Sequence, residues 1–298
     1  MGVDPSTLAY CNGEYFDSPL SLPTNDPGFV WGATVTDRFR TYATRPFRLA
    51  EHIQRFHRSA QECLIPLPHS ETEISEIVHR LLERWFRCRN RDDDECVGIL
   101  WATPKTFAIE LHRFDPSPYV RWVRQGARLQ TSRVRPLPAL CVPRQVKMRS
   151  RLHWWIAEQE VKRTDPDMLA VLVEENGQVT ETYLANVLLV RNERIVSPPL
   201  DQILEGISLR FVQELCGGIG MSFEEKSFTV SEIFGADEIL LTSTPFGVCG
   251  VSEFDGLPQQ FPGKVVMALR EAWSQVVGRD IWADFASPLA SRREKVSE

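Results

Sequence analysis

The sequence predicts two mixed domains, each α/β or α+β, with a cleft between them. Three observations predict it. The chain has 298 residues, enough for two units of ordinary size. Helical and strand periodicities alternate in both halves. Asp115-Pro116-Ser117-Pro118 interrupts them near the middle as a linker. The division expected is residues 1–116, a linker at 117–124, and residues 125–298.

Leu8 to Phe16 reads as a short strand and turn, with Asn12-Gly13 as the turn signal. Val30 to Thr44 alternates and is rich in β-branched residues, so strands are expected there. Leu49, His52, Ile53 and Phe56 recur at helical spacing, which predicts an amphipathic helix over His52 to Cys63. Glu71 to Cys88 carries Ile74, Ile77, Val78, Leu81, Leu82 and Trp85 on one stripe, a second helix. Arg89 to Glu95 is a charged loop, and Val97–Ala102 with Thr106–Phe114 reads as a hairpin. Beyond the linker come short strands and a helix over Arg149 to Lys162. A strand meander follows over residues 168–190, with Asn176-Gly177 as one turn. Ser208 to Cys216 is a helix stopped by Gly217-Gly218. Ser231 to Gly235 is a helical turn, Glu238 to Thr244 a strand, and Phe261 to Val277 contains the last long helix.

Composition excludes several functions. The net charge of −6 argues against non-specific nucleic-acid binding. No run approaches the length of a membrane span, and Met1 to Asn12 has no signal-peptide pattern. Seven widely spaced cysteines without a CxxC pair read as thiols of a reducing cytoplasm, and no metal site is expected.

Charge is distributed unevenly. Pro116 to Ala157 contains no Asp or Glu, yet holds Arg121, Arg124, Arg128, Arg133, Arg135, Arg144, Lys147, Arg149 and Arg151. Either an anion binds nearby or acidic neighbours balance a solvated face. Lys147 among cations suits a nucleophilic amine, since crowding by positive charge destabilises its ammonium.

Five ordered stretches carry a resemblance. They are Asp26-Pro-Gly28-Phe-Val-Trp-Gly32 with the Phe47 to Ala60 helix, Lys147-Met-Arg-Ser-Arg-Leu, Val179 to Val190, Leu204-Glu-Gly206-Ile207-Ser208, and Ala236 to Thr244. Together they resemble class IV aminotransferases, the fold type IV pyridoxal-phosphate enzymes. That family includes branched-chain aminotransferases, D-amino acid aminotransferases and aminodeoxychorismate lyases. The resemblance spans residues 8 to 275 and implies a smaller N-terminal domain and a larger C-terminal one with a barrel-like sheet and helices. It also implies a homodimer and pyridoxal 5'-phosphate as cofactor.

The resemblance implies roles residue by residue. Lys147 would carry the cofactor as a Schiff base and move the Cα proton. Glu181 would face the pyridine nitrogen. Arg55, Gly206, Ile207, Ser208, Ser243 and Thr244 would hold the phosphate. Asn186 would support Glu181's surroundings, and His52 would pack or hydrogen-bond. Trp31 would lie near the substrate side chain.

The sequence departs from the family pattern where substrate is bound. The acidic-glycine turn is Gly32-Ala33-Thr34, the next pair is Thr36-Asp37, and Cys96 to Leu100 carries no arginine or tyrosine. Arg151 stands where a tyrosine often follows the lysine. Arg40, Arg149, Arg151 or a basic residue of 121–135 is therefore expected to take the substrate carboxylate. The expected activity is amino transfer of branched-chain type from an amino acid to a 2-oxo acid. Aminodeoxychorismate lyase, D-amino acid aminotransferase and a cofactor-binding pseudoenzyme are the alternatives.

Overall fold

Each half of the chain folds around its own sheet. The computed structural model describes residues 7–89 and 95–286; the expected charged loop at 89–95 falls mostly outside them. In the first half the strands are β1 (Thr7–Cys11), β2 (Glu14–Phe16), β3 (Val35–Tyr42), β4 (Arg45–Pro46), β5 (Cys96–Ala102) and β6 (Phe107–Arg113). Its helices are α1 (Pro27–Val30), α2 (Leu49–Glu62) and α3 (Glu71–Arg89). The sheet runs β2-β1-β6-β5-β3-β4. The apolar stripes of α2 and α3, from Ile53 and Phe56 to Leu81 and Trp85, close over Leu8, Phe39, Leu100 and Ile109 of the sheet.

The second half contains α4 (Val120–Gln125), β7 (Ala127–Thr131), α5 (Leu152–Lys162), β8 (Met168–Val173), β9 (Val179–Thr182), β10 (Asn186–Arg191), β11 (Arg194–Ser197), α6 (Ile207–Cys216), β12 (Ser222–Glu225), α7 (Val230–Ile233), β13 (Glu238–Ser243), β14 (Gly247–Phe254), β15 (Leu257–Pro258) and α8 (Lys264–Val277). The sheet runs β12-β11-β10-β13-β14-β7-β8-β9, and β9 pairs back onto β10. Six strands therefore close on themselves, which is the barrel-like sheet the resemblance implies. Val171, Val187, Leu241, Phe246 and Cys249 belong to one core cluster. Helix α6 packs on β13 and α8 on β14, with Leu209, Val212, Leu269 and Trp273 in one core cluster with Leu240 and Val248.

Three expectations change. Val30 belongs to a short helix, not a strand: Asp26 caps α1 by accepting from Gly28 N at 2.7 Å, and Pro27 presets its first turn. The strand begins only at Val35. The expected linker is helical, a turn at Ser117–Tyr119 followed by α4, with Val123 buried. Helix α5 begins at Leu152 because residues 147–149 are extended, held along β3.

Candidate active site

Lys147 sits in a segment that completes the first sheet although it belongs to the second half. Met148 bridges Val35 in antiparallel register. Thr36 N donates to Lys147 O at 2.9 Å, and Arg149 N donates to Thr34 O at 2.8 Å. Lys147 N in turn donates to Ser59 Oγ on α2 at 3.1 Å. This ladder puts Thr36, Arg38, Lys147 and Arg149 on one face, because opposed antiparallel residues share a side and alternate residues repeat it. All four line a cleft of about 270 Å³ between the two sheets. Burial, reinforced by the Arg55 charge, pushes the Lys147 ammonium down to about 7. A lysine so placed has about half of its amine in the neutral, nucleophilic form near pH 7.

Glu181 lines the same cleft from β9. Its Oε1 accepts from Leu204 N at 3.0 Å and its Oε2 from Asn186 Nδ2 at 3.1 Å. Burial pushes its carboxyl up to about 7, against the pull of the Leu204 bond. Asn186 also donates to Leu204 O at 2.8 Å, so it ties Glu181 to the approach of α6, the supporting role expected of it.

An anion cradle lies in the same cleft, lined by Arg55, Gly206, Ile207, Ser208, Thr242, Ser243 and Thr244. Arg55 is held from behind. Its Nε and Nη2 donate to Asp37 at 2.8 and 2.9 Å, and its Nη1 donates to Glu205 O at 3.0 Å. Asp37 is fully buried and also meets His52 Nδ1 at 2.7 Å. Burial alone would raise its carboxyl, but the Arg55 charge and the His52 bond outweigh that and hold it below the usual carboxylate range. Burial pushes His52 down, toward the neutral form. Gly206 caps α6 without a side chain, leaving the first N–H groups of the helix for an anion. A Cβ there would sit 2.2 Å from Asn186 Oδ1, so the backbone approach requires glycine. Thr242 Oγ1 is buried and has no hydrogen-bond partner among the described residues. An orphaned hydroxyl beside an arginine and a helix N-terminus fits a phosphate. Ser243 Oγ donates to Leu184 O at 2.6 Å; Thr244 lines the cleft as expected.

The arginines divide sharply. Arg121, Arg128, Arg133 and Arg144 of the basic stretch pair with Asp167, Asp165 and Glu253, Glu160 and Glu174 respectively. For these the balanced-face reading is the correct one. Arg149 and Arg151 line the cleft and have no ion pair among the described residues. Arg40 is corrected: it is 1% exposed and lies outside the cleft. Its guanidinium donates to Asp284, Pro245 O and Thr41 O and lies against the Tyr42 and Phe114 rings, which hold it buried away from the cleft. Trp31 is corrected as well. It is 81% exposed after α1 and does not line the cleft.

Sequence reasoning missed Asp37, Thr242 and Arg38 as functional candidates. Asp37 was visible only as a departure in the Thr36-Asp37 pair. Its eighteen-residue separation from Arg55 carries no local signal.

Comparison with known proteins agrees with this geometry. The family model for amino-transferase class IV matches residues 34–254. A Methanocaldococcus jannaschii protein provisionally named a branched-chain-amino-acid aminotransferase is 28% identical over 284 residues, covering 90% of this chain and 95% of that one. The D-alanine aminotransferase of Staphylococcus haemolyticus is 26% identical over 278 residues, covering 89% and 95%. The T.th. branched-chain amino acid aminotransferase, solved with pyridoxamine 5'-phosphate, superposes with a TM-score of 0.80 at 25% identity, covering 91% and 94%. The match across most of the chain, on a fold that places Lys147 and Glu181 in one cleft, makes this protein an enzyme of the class IV aminotransferase family.

Proposed function

We propose that this enzyme transfers an amino group from an amino acid to a 2-oxo acid, with Lys147 as the residue that binds the cofactor covalently. The observation that carries this is Lys147 and Glu181 sharing a cleft, each held near the middle of the pH scale. Class IV aminotransferases use pyridoxal 5'-phosphate, which supplies an aldehyde that takes up the substrate amine and a ring that accepts electrons from the Cα–H bond. Arg55, the N-terminus of α6 with Ser208, and Thr242 to Thr244 hold its phosphate in this reading. Asp37 holds Arg55 in place for that contact. Glu181 would face the ring nitrogen and hold a proton on it, which lets the ring accept electrons. Lys147 Nζ would take the proton from the substrate Cα and deliver it to the carbon that was the cofactor's aldehyde, so that the nitrogen stays with the cofactor and the substrate leaves as a 2-oxo acid. Arg151, near both Lys147 and Glu181, takes the α-carboxylate. The branched-chain type is supported by overall likeness to enzymes of that name.

Absorbance of the cofactor-loaded protein tests this. Lys147→Ala is expected to remove the visible band of lysine-bound cofactor and to lower turnover about 1000-fold or more. Bleaching of that band by amino acids, with release of a 2-oxo acid, is the expected half-reaction. Pyruvate release without amino transfer would instead mean a lyase, and a band that no amino acid bleaches would mean a pseudoenzyme.

We further propose a homodimer of two-domain subunits (1–116 and 125–298) working in the cytoplasm. Phe29 and Val30 in α1 with Trp31 at its end, and Leu152, Trp155 and Ile156 on α5, are all exposed apolar residues. Ser150 Oγ donates to Gly32 O and brings these two segments together. A patch of this kind is typical of a subunit interface. No described helix is long and apolar enough to cross a membrane.

A further inference from the structure

The turn that joins β13 to β14 is held from outside the cleft by residues far from it in sequence. Thr242, Ser243, Thr244 and Pro245 line the cleft. Behind them Arg40 Nη1 donates to Pro245 O at 2.6 Å, and Arg40 Nη2 donates to Asp284 at 2.7 Å. Arg279 pairs with both Asp284 and Glu95. Glu95 in turn accepts from Thr41 Oγ1 at 2.5 Å and from Ala43 N at 2.7 Å. Positive and negative groups thus alternate from Arg40 through Asp284 and Arg279 to Glu95, and both ends of the chain of charges are buried. Other contacts seat the same C-terminal segment on the same turn. Trp282 Nε1 donates to Val248 O at 2.9 Å. Ile281 lies 3.1 Å from where a Cβ on Gly247 would stand. Arg124 donates to Phe285 O and Ala286 O at the far end of the segment.

Of all these groups only Pro245 lines the cleft. A buried ion pair is not needed to fill space, because apolar groups of similar volume do that as well or better. What a guanidinium adds is direction. Its planar fork fixes the Pro245 carbonyl and the Asp284 carboxylate in one geometry. Proline has no N–H, so its carbonyl is the one backbone group by which it is held. Hydrogen bonds weaken steeply with misalignment, so the aim of residues 242–244 depends on how the turn beyond them is fastened.

Resting on the reading of residues 242–244 as part of the phosphate cradle, we propose that Arg40 and Asp284 are positioning residues for that cradle, and that the C-terminal segment 279–286 sets how tightly the phosphate is gripped. Arg40 acts through Pro245 O, Asp284 through Arg40, and Trp282 through Val248 O. The first half of the chain then serves the phosphate twice, by Arg55 in the cleft and by Arg40 from behind.

Equilibrium titration of the apoenzyme with pyridoxal 5'-phosphate and with pyridoxal tests the proposal. Both carry the aldehyde, and only the first carries the phosphate, so the ratio of the two affinities reports the grip on the phosphate and not turnover. Arg40→Met/Asp284→Leu removes one charge of each sign, which leaves the net charge unchanged and puts apolar groups in place of a buried pair. It is expected to lower the ratio about tenfold while pyridoxal binds as before. Trp282→Phe keeps an aromatic ring and loses the bond to Val248 O; a fall of about threefold is expected. Should the paired variant not fold, Trp282→Phe decides. A ratio unchanged in the deciding variant, or an equal loss of affinity for both ligands, would overturn the proposal. Thr242→Val, in the cradle itself, reads the underlying assignment separately. A ratio lowered by Thr242→Val alone would uphold the cradle and reject the positioning role. A ratio that Thr242→Val does not move, or a wild-type ratio near one, would reject both.

Discussion

Lys147 and Glu181 are displaced in opposite senses by the same cause. Withdrawal from water disfavours the lysine's charged form and the carboxylate's charged form alike, so the two meet near pH 7. Cofactor loading of the apoenzyme therefore has a definite pH dependence. The neutral amine is the attacking species, its fraction rises as pH rises through about 7, and the loading rate is expected to climb there and level off above it. Stopped-flow absorbance on mixing apoenzyme with pyridoxal phosphate measures it; a rate still climbing toward about pH 10 would show an unperturbed lysine. At this scale the sequence is readable where a motif keeps neighbours adjacent. Lys147, Glu181 and Gly206-Ile207-Ser208 all fall in the cleft they were expected to share. Asp37 was unreadable because its meaning lies in Arg55 and His52, one helix away. Arg40 misled for the same reason: a charge spent on Asp284, 244 residues distant, looks identical in sequence to one kept for a ligand.

The elements matter through their ends. Helix α6 offers its N-terminus to the cleft because Gly206 lets Asn186 approach its backbone, and Asn186 in turn braces Glu181. Gly206→Ala forces one of these contacts apart. Its backbone angles suit any residue, so the fault is the contact itself and not strain. The variant is expected to bind cofactor about tenfold more weakly, the loss of roughly one hydrogen bond to a charged group, as measured by equilibrium titration. Helices α2 and α3 were legible over nearly their whole length, since a 3.6-residue stripe depends on one buried face alone. The start of α1 and the helical turn of α4 were not. Asp26 capping and the burial of Val123 act over too few residues to leave a period.

The whole molecule leaves Phe29, Trp31, Leu152 and Trp155 facing outward around the Ser150–Gly32 contact. If that patch is the dimer seam, Trp155→Glu should yield a monomer in sedimentation velocity, and a variant that sediments as the wild-type dimer would place the interface elsewhere. The two-sheet plan was predictable from the alternation of periodicities. The closure of six strands was legible only through the family resemblance and not from periodicity, because it rests on a single rung in which Glu181 of β9 faces Asn186 of β10. That rung has a consequence for the enzyme without its cofactor. The carboxylate proposed to meet the ring nitrogen is also a stave at the barrel's narrowest join, and β9 is only four residues long. A ligand spanning Glu181 on one side and α6 and β13 on the other acts as a clasp across that join. Filling the site and fastening the barrel are thus one event, and the empty enzyme is left with its weakest stitch at the place where its chemistry begins.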